Sequence, residues 1–321
     1  MTSCSLFMKY SVLIPAFKST FLRECIESVL VQSMNDFELI VLNDNSPEPI
    51  DEIINTFSDK RILYYRNEKN IGAYNVVDNW NRLLELSHGE FILCMGDDDM
   101  LAPNCLEEYS DIICKYPNLD IYHARSFIID EKSEVFNIQD DRPEYETIYS
   151  MMWHDLFMRR VGFIGDFLFR REALIKNGGF YKLPLAWGSD RLSTYIAAKE
   201  KGIAHVSKPI FLYRQNSLSI TRSTNVKTKM DATLLYERWL DSFLEEPTTN
   251  EMDEKYRTFM KSGVRAKIVH DKIYMVGDDL KDNLCKNFFF WIRKRKYFGL
   301  RFKEILFALG LSIALKTRKS V

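Results

Sequence analysis

Apolar positions in the first 120 residues follow two alternating rhythms. Short, nearly continuous apolar runs occur at Tyr10–Pro15 (YSVLIP), Phe37–Asn43 (FELIVLN), Ile62–Arg66 (ILYYR) and Glu90–Met95 (EFILCM), each bounded by polar or turn-forming residues. Runs of this length and make-up predict buried strands. Between them, Phe21, Leu22, Cys25, Ile26, Val29 and Leu30 share one helical face, and Val76, Val77, Trp80, Leu83 and Leu84 repeat the pattern. Ser19 or Thr20 is placed to cap the first of these helices. Alternation of strand and helix predicts an α/β fold with a mainly parallel sheet and helices on both faces, because parallel neighbours need a crossover. Ligands in such sheets bind beyond the carboxyl ends of the strands. That rule singles out three loops: Ala16–Thr20, Asp44–Pro49 and Gly96–Pro103.

After Asp130 the pattern is less regular. Strands are expected near Ile121–Ile129, Ile164–Arg170 and Pro209–Arg214, and helices near Thr147–Arg160 and Asp190–Lys201. This half should complete the sheet and build the second side of a cleft. Beyond about Asn225 no β-rich run occurs, so the chain divides into an α/β domain over 1–224 and a helical extension over 225–321.

Composition narrows the classes. With 321 residues, 46% of them hydrophobic, the chain can bury a large core. Lys+Arg 44 against Asp+Glu 45 argues against a globally basic nucleic-acid binder. The balance is uneven along the chain, however. Residues 281–321 hold 11 Lys/Arg against two acids, leaving 33 Lys/Arg and 43 Asp/Glu in the first 280 residues. Within that basic segment, Phe288–Ile292 precedes Arg293–Lys296, and Ile305–Leu315 is almost wholly apolar before Lys316, Arg318 and Lys319. Short apolar stretches flanked by cations suit helices lying on an anionic membrane, the plain alternative being helices packed on the α/β domain or another subunit. The six cysteines form no CxxC pair, and the N-terminus lacks the charged and apolar regions of a secretory signal. No apolar stretch reaches the roughly 18 residues of a membrane span. A cytoplasmic protein at the inner face of the cell membrane is the expectation.

No GxGxxG or GxxxxGK[ST] follows the first strand, so NAD enzymes and P-loop NTPases are poor readings. The strongest chemical signal is Gly96-Asp97-Asp98-Asp99, directly after the apolar run EFILCM. Three adjacent carboxylates repel one another unless a cation relieves them. Carboxylates suit Mg²⁺ or Mn²⁺, with water and substrate phosphates completing the shell. An Asp-rich entry to a helix is the plain alternative.

Taken in order, VLIPAFK (Val12–Lys18), ESVLVQS (Glu27–Ser33), FELIVLNDNSPE (Phe37–Glu48), NEKNIG (Asn67–Gly72), HGEFILCMGDDDMLAP (His88–Pro103), FLFRREAL (Phe167–Leu174) and WGSDRL (Trp187–Leu192) resemble a family 2 glycosyltransferase. The likeness covers about residues 9–215. It implies a GT-A fold and an inverting transfer from a nucleotide-diphosphate sugar, with UDP the expected carrier, to a hydroxyl of a glycan or lipid-linked acceptor. Cell-surface polysaccharide synthesis is the expected setting. It places Pro15 and Phe17 beside the nucleotide base, with Asp44 reading the base edge and Asn70 lining the site. Asp97 would approach the ribose or the metal, and Asp98 and Asp99 would supply metal-binding oxygens. Asp190 matches the catalytic base, and Trp187 would offer a platform to a sugar face.

Plain readings stand beside these: a turn residue for Asp44, an exposed loop amide for Asn70, a helix cap for Asp190 and a structural Trp for Trp187. Two departures from the family pattern are visible. Tyr213-Arg214 is followed by Gln215 and Asn216 rather than by a histidine, and Asn79-Trp80-Asn81 replaces a common Ala-Arg-Asn. Arg214 and Arg222 are therefore candidates for electrostatic help at the phosphates or acceptor. The rivals are a non-catalytic sugar-nucleotide-binding protein that kept the fold and, less well matched, a sugar nucleotidyltransferase, which would need a glycine-rich loop where IPAFKST has none.

Overall fold

The computed structural model describes residues 9–157, 160–216, 225–248 and 250–317. Its centre is one ten-stranded sheet. The strands are β1 (Tyr10–Ala16), β2 (Phe37–Asn43), β3 (Ile62–Arg66), β4 (Phe91–Cys94), β5 (Met100–Leu101), β6 (Ile121–Ile129), β7 (Val135–Ile138), β8 (Tyr145–Glu146), β9 (Phe167–Arg170) and β10 (Ile203–Arg214). They are ordered β3-β2-β1-β4-β9-β6-β10-β5, with β7 on β6 and β8 on β10. The longer ladders, β3-β2-β1-β4 and β6-β10, are parallel, whereas the short strands β5, β7, β8 and β9 pair antiparallel.

Register sets the site. Ala16 lies opposite Asn43 and Leu13 opposite Cys94, so the chain leaves β1, β2 and β4 at the same edge. Side chains alternate across β1: Tyr10, Val12, Ile14 and Ala16 enter one core and Leu13 the other. Helices α1 (Leu22–Leu30), α2 (Ile50–Ile54) and α4 (Cys105–Lys115) cover the first face. On the second lie α3 (Val76–Leu86), α5 (Ile148–Phe157), α6 (Arg171–Lys176) and α7 (Ser189–Ala198). Both faces are covered, as parallel strands require.

Several boundaries differ from expectation. Ile164–Asp166 is a 3-10 turn, and only Phe167–Arg170 is strand. The strand ending at Arg214 begins at Ile203, because it tolerates Pro209 through shifts of register against β6. Neither Ser19 nor Thr20 caps α1: Phe21 occupies the cap position without a side-chain bond, and the Ser19 hydroxyl donates to Glu48. The two-residue strands β5 and β8 were invisible because such pairing leaves no periodicity.

The helical region consists of α8 (Val226–Glu245), α9 (Glu251–Asp282), α10 (Leu284–Lys294) and α11 (Phe302–Thr317). Asn225, Asn250 and Asn283 cap the first three by accepting backbone N–H groups. Part of this helical region packs into the α/β core. Tyr236, Leu240 and Phe243 of α8 and Met260, Val264 and Ile268 of α9 share the core under α5 and α7. Only the far end is distinct, where Val276 and Leu280 of α9 pack with Trp291, Phe298, Ile305 and Ala308. Among the described residues no helix is long and apolar enough to cross a membrane.

Candidate active site

A cleft of about 910 Å³ opens at the carboxyl edge of β1, β2 and β4. It is lined by Pro15, Phe17, Asp44, Asn70, Asp97, Asp98 and Asp99 on one side and by Trp187 and Asp190 on the other. Nine of the residues singled out in the sequence thus meet in one place.

The loop after β1 is fastened to the loop after β4. Phe17 N and Lys18 N both donate to Asp97 Oδ2 at 2.7 Å, and Ser46 Oγ donates to Phe17 O at 2.5 Å. These bonds hold the Phe17 ring 40% exposed at the cleft. Burial and the neighbouring Asp98 push the Asp97 carboxyl up to about 7.

Asp98 and Asp99 turn towards each other over Gly96. A Cβ on Gly96 would lie 2.7 Å from Asp98 Oδ1 and 3.0 Å from Asp99 Oδ2, so only glycine leaves these oxygens in place. Their second oxygens are occupied, because Asn216 Nδ2 donates to Asp98 Oδ2 at 2.6 Å and Arg214 N donates to Asp99 Oδ1 at 2.9 Å. Burial and the charge of Asp98 hold the Asp99 carboxyl well above the usual carboxylate range. Two hard oxygens converging on one hollow fit Mg²⁺ or Mn²⁺. Among the described residues no group of three or more His, Cys, Asp or Glu could hold a metal. A cation here would therefore need water and substrate phosphate to complete its shell.

Arg214 has a different place from the one expected. Its guanidinium is buried, donating to Asp98 O, Asp130 O, Ser133 Oγ and Glu24 Oε2 at 2.8–3.0 Å. It also stacks over Phe21 at 4.2 Å. It is absent from the cleft lining and instead braces the aspartate loop from behind. Arg222 lies outside the described residues.

Asp44 anchors the next wall. Its Oδ1 accepts from Asn67 Nδ2 at 2.6 Å and Ile71 N at 3.1 Å, and Asn70 Nδ2 donates to Asp44 O and Oδ2 at 2.9 and 3.1 Å. The turn after β2 is made by the preceding residue, since Asn43 Oδ1 accepts from Ser46 N at 2.8 Å. Asn70 is exposed and also lines the cleft.

Across the cleft, α7 starts after Gly188, whose φ of 88° is in the left-handed region that favours glycine. Gly188 takes the cap position, leaving Asp190 in the first turn with Oδ1 accepting from Arg191 N at 2.7 Å. Burial raises the Asp190 carboxyl above its ordinary value, and the Arg191 guanidinium limits the rise. Lys229 of α8 sits over the Trp187 ring at 4.7 Å.

Some of this wall had no motif to announce it. Asp155 of α5, Arg191 and, from α9, Lys267 and Asp271 also line the cleft. Tyr195 Oη donates to Asp155 Oδ2 at 3.2 Å, while Asp155 Oδ1 is buried without a hydrogen-bond partner among the described residues. The signal available was a single carboxylate on the otherwise apolar face of IYSMMWHDLF.

Residues 11–179 match the family model described as glycosyl transferase family 2. The chain belongs to that family. The Bacillus subtilis protein named "Putative glycosyltransferase EpsH" is 25% identical over 287 residues, covering 84% of this chain and 76% of that protein. An uncharacterized glycosyltransferase of Methanocaldococcus jannaschii is 28% identical over 127 residues, 39% of this chain and 42% of its own length. The chain thus spans about two-fifths of that archaeal relative. A crystal structure of S. aureus TarS 1-349 in complex with UDP-GlcNAc superimposes with a TM-score of 0.66 at 15% identity, covering 97% of this chain and 92% of that one. At that identity the likeness is one of fold, which is GT-A, and it extends through the C-terminal helices.

Proposed function

We propose that this glycosyltransferase moves a sugar from a UDP-linked donor to a hydroxyl of a glycan or lipid-linked acceptor, with inversion, in cell-surface polysaccharide synthesis on the cytoplasmic side. The observation that carries this reading is the meeting, in one cleft, of the loops after β1, β2 and β4 with Asp190 from the opposite wall. The TarS complexes with UDP-GlcNAc and UDP support the choice of donor.

The half-exposed Phe17 ring offers a face for the base, and the fixed Asp44 carboxylate offers acceptors for its edge. Asp97 faces the ribose side, holding the loop that carries Phe17. Asp98 and Asp99 are the residues that would hold Mn²⁺ or Mg²⁺. A bound divalent cation would supply positive charge to the departing diphosphate. Asp190 takes the proton of the acceptor hydroxyl as its oxygen bonds to the anomeric carbon and the bond from that carbon to the diphosphate oxygen breaks. One displacement inverts the centre. A carboxyl raised by burial is better matched to that proton transfer than an ordinary one. Apolar side chains that line the cleft with Trp187, including Leu185, Ala186 and Met275, suit the faces of sugar rings.

The test is release of free nucleotide from UDP-, GDP- and TDP-sugars by purified protein, with Mn²⁺ or Mg²⁺ and cell-envelope acceptors. UDP release that depends on acceptor and metal is expected. No release from any donor would overturn the reading.

A further inference from the structure

We propose that the outer face of α11, with the cations of α10 and the turn joining the two helices, docks the protein on an anionic membrane surface. A helix on the surface of a soluble protein normally turns polar residues outward. α11 is apolar on both sides. Its inner side, Ile305 and Ala308, is buried in the small core beside α9, where Gly277 lets the Ala308 carbonyl approach: a Cβ on Gly277 would lie 3.2 Å from that oxygen. Its outer side carries Phe302, Leu306, Phe307 and Ile313, exposed by 50%, 44%, 60% and 54%. Phe302, Leu306 and Ile313 fall on one stripe at helical spacing, with Phe307 beside it. At 16 residues the helix is too short to span a bilayer, so an apolar outer face suits one lying in the interface plane.

Charge chooses the occupant. From Asn283 to Thr317 the chain carries Lys286, Arg293, Lys294, Arg295, Lys296, Arg301, Lys303 and Lys316 against a single acid, Glu304. Glu304 is buried and accepts from Arg301 Nε at 2.8 Å and Arg301 N at 2.7 Å, so it offers no outward negative charge. Lys286, Arg293, Lys294, Lys296, Arg301 and Lys303 are all exposed. Pairing this face with its own copy would set cations against cations, whereas anionic lipid headgroups would neutralise them. Phe289 and Tyr297, exposed by 67% and 60%, add aromatic rings of the kind that settle at headgroup level. Docking is linked to the cleft by one continuous element. α9 lines the cleft with Lys267 and Asp271 and packs against α11 at Gly277. On the proposed function, this would bring a lipid-linked acceptor towards Asp190.

The test is co-sedimentation of the full chain with phosphatidylcholine vesicles and with vesicles containing about a third phosphatidylglycerol. The wild type should sediment with the anionic vesicles only. A Leu306→Gln/Phe307→Gln variant and a Lys294→Gln/Lys296→Gln variant should each bind about tenfold more weakly. Their melting temperatures should match the wild type, since all four side chains are exposed. A wild type left in the supernatant with both vesicles, or sedimenting equally with both, would overturn the proposal. So would a dimer in light scattering that Leu306→Gln/Phe307→Gln dissociates, because the face would then belong to a second copy. None of these outcomes depends on which donor or acceptor the enzyme uses.

Discussion

One carboxylate oxygen of Asp97 receives the backbone N–H groups of both Phe17 and Lys18, each at 2.7 Å. A side chain after β4 thereby fixes the main chain after β1 and, with it, the Phe17 ring at the cleft. Replacing Asp97 with Ala removes two hydrogen bonds, each worth about 0.5–1.5 kcal/mol and more where the carboxyl is ionised. Affinity for UDP measured by calorimetry should fall by at least about tenfold, even if Asp97 itself never touches the nucleotide. Unchanged affinity would mean that the loop holds its shape without this clasp.

Asp190 separates two roles by its variant. Because Gly188 caps α7, the Asp190 carboxylate is not needed to start the helix, and Asp190→Asn should leave the melting temperature within a degree or so of wild type. Turnover should drop by about 10²–10⁴, the usual contribution of a positioned base, with donor affinity nearly unchanged. Loss of donor binding together with turnover would make Asp190 a structural residue instead.

The parallel half of the sheet and its three site loops could be read from apolar runs, because a strand buried on both faces must be apolar throughout and its loops must emerge at the carboxyl edge. The aspartate loop could be read because clustered like charge is costly without a purpose. Arg214 shows where such reading stops. Its position after Tyr213 marks it as close to the aspartates, but sequence does not say which side of the loop a guanidinium occupies, and here it fills the back. Asp155, Lys267 and Asp271 reach the cleft only because α5 and α9 pack beneath it, a tertiary outcome that no local pattern encodes. The resemblance to the family stops near residue 215, so the wall supplied by α8 and α9 had no motif to carry it.

Gly96 offers a test of the converging carboxylates. In Gly96→Ala the new methyl would sit 2.7 Å from Asp98 Oδ1 and 3.0 Å from Asp99 Oδ2 and push both aside. The expected cost in stability is about 1–3 kcal/mol, typical of overpacking, measured by urea denaturation. The stabilisation that Mn²⁺ gives to the UDP complex in a thermal melt should be lost, while any metal-free UDP binding survives. An Mn²⁺ response equal to wild type would show that the cation is held elsewhere.

His205 lies buried with Nε2 3.1 Å from Glu146 Oε1, and burial, reinforced by Arg142 and Arg160 against the opposing pull of Glu146, pushes its pKa down from 6.5 to about 4. A group depressed in the folded state binds its proton more readily when unfolded. Its contribution is therefore fully present above about pH 6.5 and is lost as pH falls towards 4. Asp166, which burial holds up at about 7 despite its bonds from Gln139 and Ser126, has the opposite sign and gains stability for the folded chain over the same range. The slope of the whole protein mixes these with other shifted groups such as Asp97, but comparison with His205→Gln isolates the histidine. Between about pH 7 and pH 5 the variant should lose about 2 kcal/mol less stability than the wild type in urea titrations, from a shift of 1.36 kcal/mol per pKa unit. Parallel loss in both proteins would mean that His205 titrates in the fold as it does unfolded, and a smaller loss in the wild type than in the variant would mean that it is protonated in the fold as an ion pair with Glu146.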